Sequence, residues 1–327
     1  MIEPQVWIIF IALVSLLMAF DLGVFHKKAH IPNMKEAFVT SSIWVALGIA
    51  FTGFIFAAYE HHWFNLGMNT VEPMSGEEAA LKYLTGYLLE LALSVDNLFV
   101  MALVFAQFHI PRKYQHRILF WGILGVILFR GLLIAVGVTL IHRFEWLFYV
   151  FGAFLLFSAW RMLQHKDNAE NDVHNHTVVR FVKRFYPVTR SNYRGRFFAR
   201  ENGKAAVTPL FVALLVVETT DILFAFDSVP AVFSITTDPF LVFSSNIFAI
   251  LGLRSLYFVL ANVIEKFVYL KYSLIAILFY IGVKMILLPL HIHLPIGLSL
   301  GVIAGLLLLG VVVSLWRKAD VKTEMKI

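Results

Sequence analysis

The stretch that decides the fold is LELALSVDNLFVMALVF, residues 89–105. It is apolar enough for a lipid bilayer, yet Glu90, Asp96 and Asn97 stand in its middle. A charge at the centre of a spanning helix costs roughly 2.5–3.5 kcal/mol on an insertion scale. Something must offset two carboxylates placed there.

The rest of the chain puts this stretch in a membrane. Hydrophobic residues make up 60% of the 327 and charged residues 15%, with a mean hydropathy of +0.79, which fits neither a soluble domain nor a disordered chain. There is no cysteine, so disulfides, thiolate ligands and cysteine nucleophiles are excluded together, and a metal site is expected to use oxygen or imidazole nitrogen. The first apolar run, VWIIFIALVSLLMAF (6–20), follows the acidic Glu3, precedes Lys27 and Lys28, and has no small-residue cleavage site. It reads as a retained helix.

Hydrophobic windows predict an all-α polytopic membrane protein with about nine transmembrane helices, over 6–25, 37–58, 80–107, 117–141, 144–164, 206–233, 240–264, 270–288 and 295–316. Residues 1–327 then form a single transmembrane domain. Two N-terminal helices and an acidic outer loop fill 6–79, a first three-helix unit 80–164, a basic cytoplasmic loop 165–205, a second unit 206–288, and a last helix with its tail 289–327.

Lys and Arg set the expected orientation. One side collects Lys27, Lys28, Lys35, Arg112, Lys113, Arg117, the run from Lys166 to Lys204, Lys266, Lys271 and the tail from Arg317; the other holds Lys82 and Arg143. The positive-inside rule puts the N-terminus outside and the C-terminus in the cytoplasm of a cell inner (plasma) membrane.

The opening motif has a counterpart. Aligning Asp96–Asn97 with Asp227–Ser228 sets Glu90 on Asp221 without a gap; farther on, LFRGLL (128–133) matches GLRSLY (252–257), and WRML (160–163) matches VKMI (283–286). A repeat unit with an odd number of spans must enter the membrane from the opposite side on its second copy. The prediction is therefore two inverted three-helix repeats with an ion site between them near the midplane.

Glu90, Asp96, Glu218, Asp221 and Asp227, all charged and central, carry an upper-bound insertion cost of roughly 12–18 kcal/mol. Arg130, Arg254 and Lys284 fall inside predicted spans and are candidate charge partners, which would make part of the cluster purely structural. A hard divalent cation is the other offset, since carboxylates, an amide, a hydroxyl and a freed carbonyl suit Mg²⁺, Mn²⁺ or Ca²⁺. Pro230 would free the Phe226 carbonyl for that purpose by kinking its helix. Protonation of the acids in the cation-free state is a further offset.

These residues carry a resemblance. LSVDN with the preceding Glu90, ETTDILFAFDSVPAVFSITTDP (218–239) and SSNIFAILGLRSLYF (244–258) resemble the TerC family of membrane proteins, in particular its nine-helix Alx-like branch, over nearly the whole chain. The resemblance implies manganese efflux and metal homeostasis. It carries the metal-ligand role onto Glu90, Asp96, Asn97, Glu218, Asp221, Asp227 and Ser228. Manganese comes from the resemblance; the residues by themselves point to a hard cation.

Other signals have plainer readings. Asp21 reads as a boundary residue, and the histidines at 61–62, 174–176 and 291–293 as loop or interfacial groups. RFVKRFYPVTRSNYRGRFF (180–198) mixes cations with aromatics as nucleic-acid binders do, but beside a membrane it fits anionic lipid better. No nucleic-acid partner is expected, and no protein partner is specified. There is no Walker motif, no intramembrane His-Glu zinc motif and no Gly-x-Ser-x-Gly elbow, so the expectation is no enzyme and no tightly bound cofactor. The function expected is secondary transport exporting Mn²⁺, with protons as the counter-ion; the alternative is a membrane assembly or metal-delivery partner that supplies metal to exported or membrane enzymes.

Overall fold

The computed structural model describes residues 3–20, 33–68, 73–164, 187–189, 195–201, 204–260, 269–292 and 294–316. Among these residues the chain forms nine α-helices: α1 Pro4–Phe20, α2 Met34–Glu60, α3 Gly76–Gln107, α4 Arg112–Arg143, α5 Leu147–Gln164, α6 Pro209–Phe233, α7 Pro239–Leu260, α8 Leu270–Leu287 and α9 Ile296–Trp316. All but α1 and α7 are long and apolar enough to cross a membrane; α1 and the apolar run Pro239–Leu253 of α7 are shorter. The protein is thus a nearly all-helical, multi-pass membrane protein.

The helix boundaries follow local chemistry. Asn33 and Glu36 form a reciprocal capping box at the start of α2, their side chains accepting each other's backbone N–H at 2.9 and 3.0 Å. Ser75 caps α3 through the N–H of Glu78, and Glu77 and Glu78 place negative charge at the positive end of the helix dipole. Asp238 caps α7 by accepting from the N–H groups of Phe240 and Leu241, and the hydroxyl of Tyr59 on α2 donates to the same oxygen at 2.8 Å. That bond ties the end of α2 to the start of α7.

One departure from an all-α chain lies in the basic segment. Strands β1 (Phe198–Glu201) and β2 (Lys204–Val207) pair antiparallel just before α6. Arg117 on α4 holds this hairpin to the helices by donating to the Gly195 carbonyl at 2.9 Å and lying over the Phe197 ring. Most of the segment 165–205, including Lys166, His174, His176, Lys183 and Arg184, lies outside the described residues, as do Asp21, Lys27, Lys28, Lys266 and the tail from Arg317.

α3 is the hub of the bundle. It packs against α2, α6, α7 and α9, while α4 packs on α6 and α7, and α5 packs on α8. The α5–α8 crossing is close because glycines meet there: a Cβ on Gly152 would sit 3.0 Å from the Gly282 carbonyl oxygen, and one on Gly282 would sit 3.1 Å from the Gly152 carbonyl oxygen. Close approach of backbones through small residues is the usual basis of helix packing in lipid. α1 lies on the outside of the bundle, its Phe10 ring meeting Phe51 of α2 and Phe240, Phe243 and Phe248 of α7.

Candidate functional site

Arg130 is fully buried in α4 and takes up two of the acids. Its Nη1 pairs with Glu90 of α3 and donates to Asn246 Oδ1 of α7 at 2.9 Å, and its Nε donates to Asp221 Oδ2 of α6 at 3.4 Å. The other oxygen of Asp221 accepts from Asn97 Nδ2 at 3.0 Å, and Ser94 donates to Glu90 at 3.3 Å. Four helices therefore meet on one guanidinium, whose fork geometry allows it to serve several acceptors at once. Glu90 and Asp221, the two residues equated by the repeat alignment, are its two acids.

Asp96 and Asp227 are not paired in this way. They face a common cavity of about 30 Å³, whose polar wall comprises Glu90, Asp96, Asn97, Arg130, Asp227 and Ser228. Leu93, Met162, Phe224 and Leu278 complete the wall. Asp227 accepts from Ser158 of α5 at 2.7 Å and lies within electrostatic reach of Arg161; Asp96 is within reach of Asp227 and of Lys271. Four buried polar atoms without a hydrogen-bond partner belong to this wall: Glu90 Oε2, Asn97 Oδ1, Ser228 Oγ and Arg130 Nη2. Buried polar atoms are rarely left in that state, so their concentration around one cavity marks a place for a polar guest.

The remaining expected site residues lie apart. Glu218 is half-buried against α4, where a Cβ on Gly125 would run into its carboxylate, and its Oε2 has no partner. Lys284 is buried and donates to the Ser299 hydroxyl of α9 at 2.8 Å, and that hydroxyl also lies 3.0 Å from Tyr280, so the lysine is turned to the α8–α9 side. The side chain of Arg254 lies outside the described part of the structure. α6 runs through Pro230 as one α-helix, and the aromatic residue it gives the cavity is Phe224. Among the described residues, no three His, Asp or Glu side chains converge into a ready-made metal cage. His61 and His62 sit in the turn after α2, where His62 Nδ1 lies 3.2 Å from the Leu66 carbonyl oxygen.

Three residues of the site escape sequence reasoning. Ser158 stands outside every quoted motif, while Asn246 and Met162 lie inside SSNIF and WRML without being read as site residues; only the fold brings the three to the acids. Met162 places a thioether side chain in the cavity wall beside the oxygen-bearing groups.

Residues 75–322 match the family described as integral membrane protein TerC family. Over 322 residues the chain is 44% identical to an uncharacterised membrane protein of Myxococcus xanthus, covering 98% of this chain and 95% of that one. A Shigella flexneri protein named Alx, described provisionally as a membrane-bound redox modulator, is 41% identical over 315 residues, 96% of this chain and 95% of its own. An uncharacterised membrane protein of Rickettsia bellii is 39% identical over 312 residues, 95% and 97% of the two chains. No solved structure matches the chain.

Proposed function

Because the chain belongs to the TerC family of integral membrane proteins, we propose that it is a secondary transporter that exports a divalent metal cation, Mn²⁺ foremost, through the cavity between α3, α5 and α6. The observation that carries this reading is the cavity wall itself, with two carboxylates that have no cationic hydrogen-bond partner and three oxygens that have no partner at all. Asp96 and Asp227 supply the negative charge, and Asn97 Oδ1 and Ser228 Oγ supply neutral oxygen. Arg130 holds Glu90 and Asp221 together at one edge of the cavity, and Glu90 Oε2 stays uncommitted.

The packing supports an inverted pair made of α3–α5 and α6–α8. Swapping one triplet for the other turns the α3–α7 pair into α6–α4, and leaves the α5–α8 and α3–α6 pairs unchanged. A second small cavity, lined by Val100, Met101, Val217, Thr220 and Asp221, shares Asn97 and Phe224 with the first. The Asn97–Asp221 hydrogen bond lies between the two and is a natural partition for an alternating-access path. The Lys and Arg asymmetry supports an outside N-terminus and a cytoplasmic C-terminus in the inner membrane, with anionic lipid against the basic segment. Protons are the proposed counter-ion, because a cation and protons compete for the same carboxylate oxygens.

The relatives' description favours one second reading. A chain without cysteine has no thiol chemistry of its own with which to modulate redox state. A redox effect would then arise from metal delivered to partner enzymes, which is the alternative function of an assembly or delivery partner. Flux in sealed vesicles containing only the purified protein separates the two. Transport predicts Mn²⁺ movement that depends on a pH gradient; flux of Mn²⁺, Mg²⁺, Ca²⁺, Zn²⁺ and Fe²⁺ no faster than in empty vesicles, with and without the gradient, would leave delivery as the reading.

A further inference from the structure

The cavity wall has one donor that no argument about hard cations uses. Met162, from the last turns of α5, stands in the same wall as Asp96, Asp227, Asn97 and Ser228. Its apolar neighbours there, Leu93, Phe224 and Leu278, have no lone pair to offer. A wall closed by a fourth hydrocarbon side chain would serve packing equally well.

The size of the cavity makes the donor set matter. At about 30 Å³ it has space for a bare ion and one or two waters, so an ion enters with most of its hydration shell removed. Mg²⁺ gives up water reluctantly and demands six near-ideal oxygens, while Ca²⁺ takes six to eight oxygens. Neither gains from sulfur. Among divalent ions the gain from a thioether rises with softness: Mn²⁺, itself an oxygen-preferring ion, gains a little over Mg²⁺ and Ca²⁺, and a larger, softer ion such as Cd²⁺ gains more.

We infer that Met162 is a specificity-determining residue: its thioether ligates the ion and selects divalent transition metals against Mg²⁺ and Ca²⁺. This rests on the reading of the Asp96–Asp227 cavity as the ion site. Under it, the carboxylates set how tightly any divalent cation binds, and Met162 sets which one. Mg²⁺, abundant in any cytoplasm, is refused twice, by the dehydration that the small cavity requires and by a ligand position that returns nothing to it.

The test is equilibrium binding of Mn²⁺, Cd²⁺ and Ca²⁺ to the purified full-length protein in lipid nanodiscs, for the wild type, Met162→Leu, Met162→Gln and Asp96→Asn. Met162→Leu keeps the volume and removes the sulfur, so Cd²⁺ affinity should fall by about tenfold, the low end of what losing a metal-supporting side chain costs, and Mn²⁺ affinity by less, with Ca²⁺ unchanged. Met162→Gln puts an amide oxygen in the same place and should raise Ca²⁺ affinity relative to Cd²⁺, and it keeps the test alive if the Leu variant fails to fold. Wild-type Mn²⁺:Ca²⁺ and Cd²⁺:Ca²⁺ ratios in both variants, or an equal loss of all three ions, would overturn the role of Met162. If those ratios hold while Asp96→Asn loses every ion, the cavity stands and the inference about Met162 falls; if Asp96→Asn binds all three as the wild type does, the cavity reading falls and takes the inference with it.

Discussion

Asn97 on α3 and Asp221 on α6 are joined by a 3.0 Å hydrogen bond in which the amide donates, leaving Asn97 Oδ1 without a partner beside the cavity. The amide therefore points its donor at an acid already held by Arg130 and keeps its acceptor in reserve. A carboxylate at 97 would repel Asp221, and an alanine would leave nothing for a cation. The same economy runs along the two motifs: Glu90 and Asp221 have a built-in cation, and Asp96 and Asp227 face the cavity.

Removing the built-in cation should be costly. Arg130→Met leaves Glu90 and Asp221 buried without their partner, a change that costs about 3–5 kcal/mol where measured for buried pairs. Adding Glu90→Gln and Asp221→Asn to it should recover most of the stability, since replacing every charge of a buried network is close to neutral. Thermal unfolding of the purified proteins in detergent reads both effects. A triple variant no more stable than Arg130→Met would mean that the guanidinium matters for packing rather than for charge.

Much of this was legible in the sequence, and what was not has a physical reason. Apolar runs predicted α3 at 80–107, α6 at 206–233 and α9 at 295–316, against the observed Gly76–Gln107, Pro209–Phe233 and Ile296–Trp316. The misses are at helix starts, where the Ser75 cap and Pro209 at the first helical position set the first residue and hydropathy is blind to it. Arg130 was legible as a charge partner because an arginine in a span must have one. Lys271 was not: its place near the boundary reads as a cytoplasmic loop, whereas it lies in the first turn of α8 within electrostatic reach of Asp96. Ser158 was invisible because one hydroxyl among apolar residues has no pattern until another helix packs against it, and Met162, though inside the WRML repeat match, carries no charge to single it out.

Ser158 supports Asp227 without being an expected ligand. Its hydroxyl donates at 2.7 Å and holds one carboxylate oxygen in place, which under the proposed function leaves the other to meet the ion. Ser158→Ala should fold normally and bind Mn²⁺ about tenfold more weakly, the usual cost of losing a group that orients a metal ligand. Isothermal titration on the purified protein would show it. Wild-type affinity in this variant would mean that Asp227 is held by packing alone.

The α5–α8 crossing gives a test of the fold that leaves the chemistry aside. Gly152→Ala drives a methyl group against the Gly282 carbonyl and the Ile286 side chain, and backbone cannot step aside as a side-chain tip can. The expected cost is about 1–3 kcal/mol, as for other overpacked sites. Gly53 on α2 has nothing within 4 Å of where its Cβ would be, so Gly53→Ala should be neutral or slightly stabilising by the helix preference for alanine. Equal melting temperatures for the two variants would mean that α5 and α8 do not approach as closely as described.

Asp96 and Asp227 should act as the two halves of one anionic site, because they face the same cavity from different helices and occupy matching positions in the two sequence motifs. Asp→Asn at either keeps the shape and removes a charge from the membrane interior, so insertion should survive or improve. Cation affinity should fall further than in Ser158→Ala, beyond about tenfold, because a directly facing anion is lost and not merely its orienting bond. Lys271 cannot serve as a silent control, being electrostatically linked to Asp96; Lys113, exposed in the first turn of α4, can, and Lys113→Gln should transport normally. The measurement is total cellular manganese in cells challenged with excess Mn²⁺, at matched expression. Loss of efflux in Asp227→Asn with wild-type efflux in Asp96→Asn would move the ion off the shared cavity and onto α6 alone, where Glu218 would have to leave its place against Gly125 to reach it.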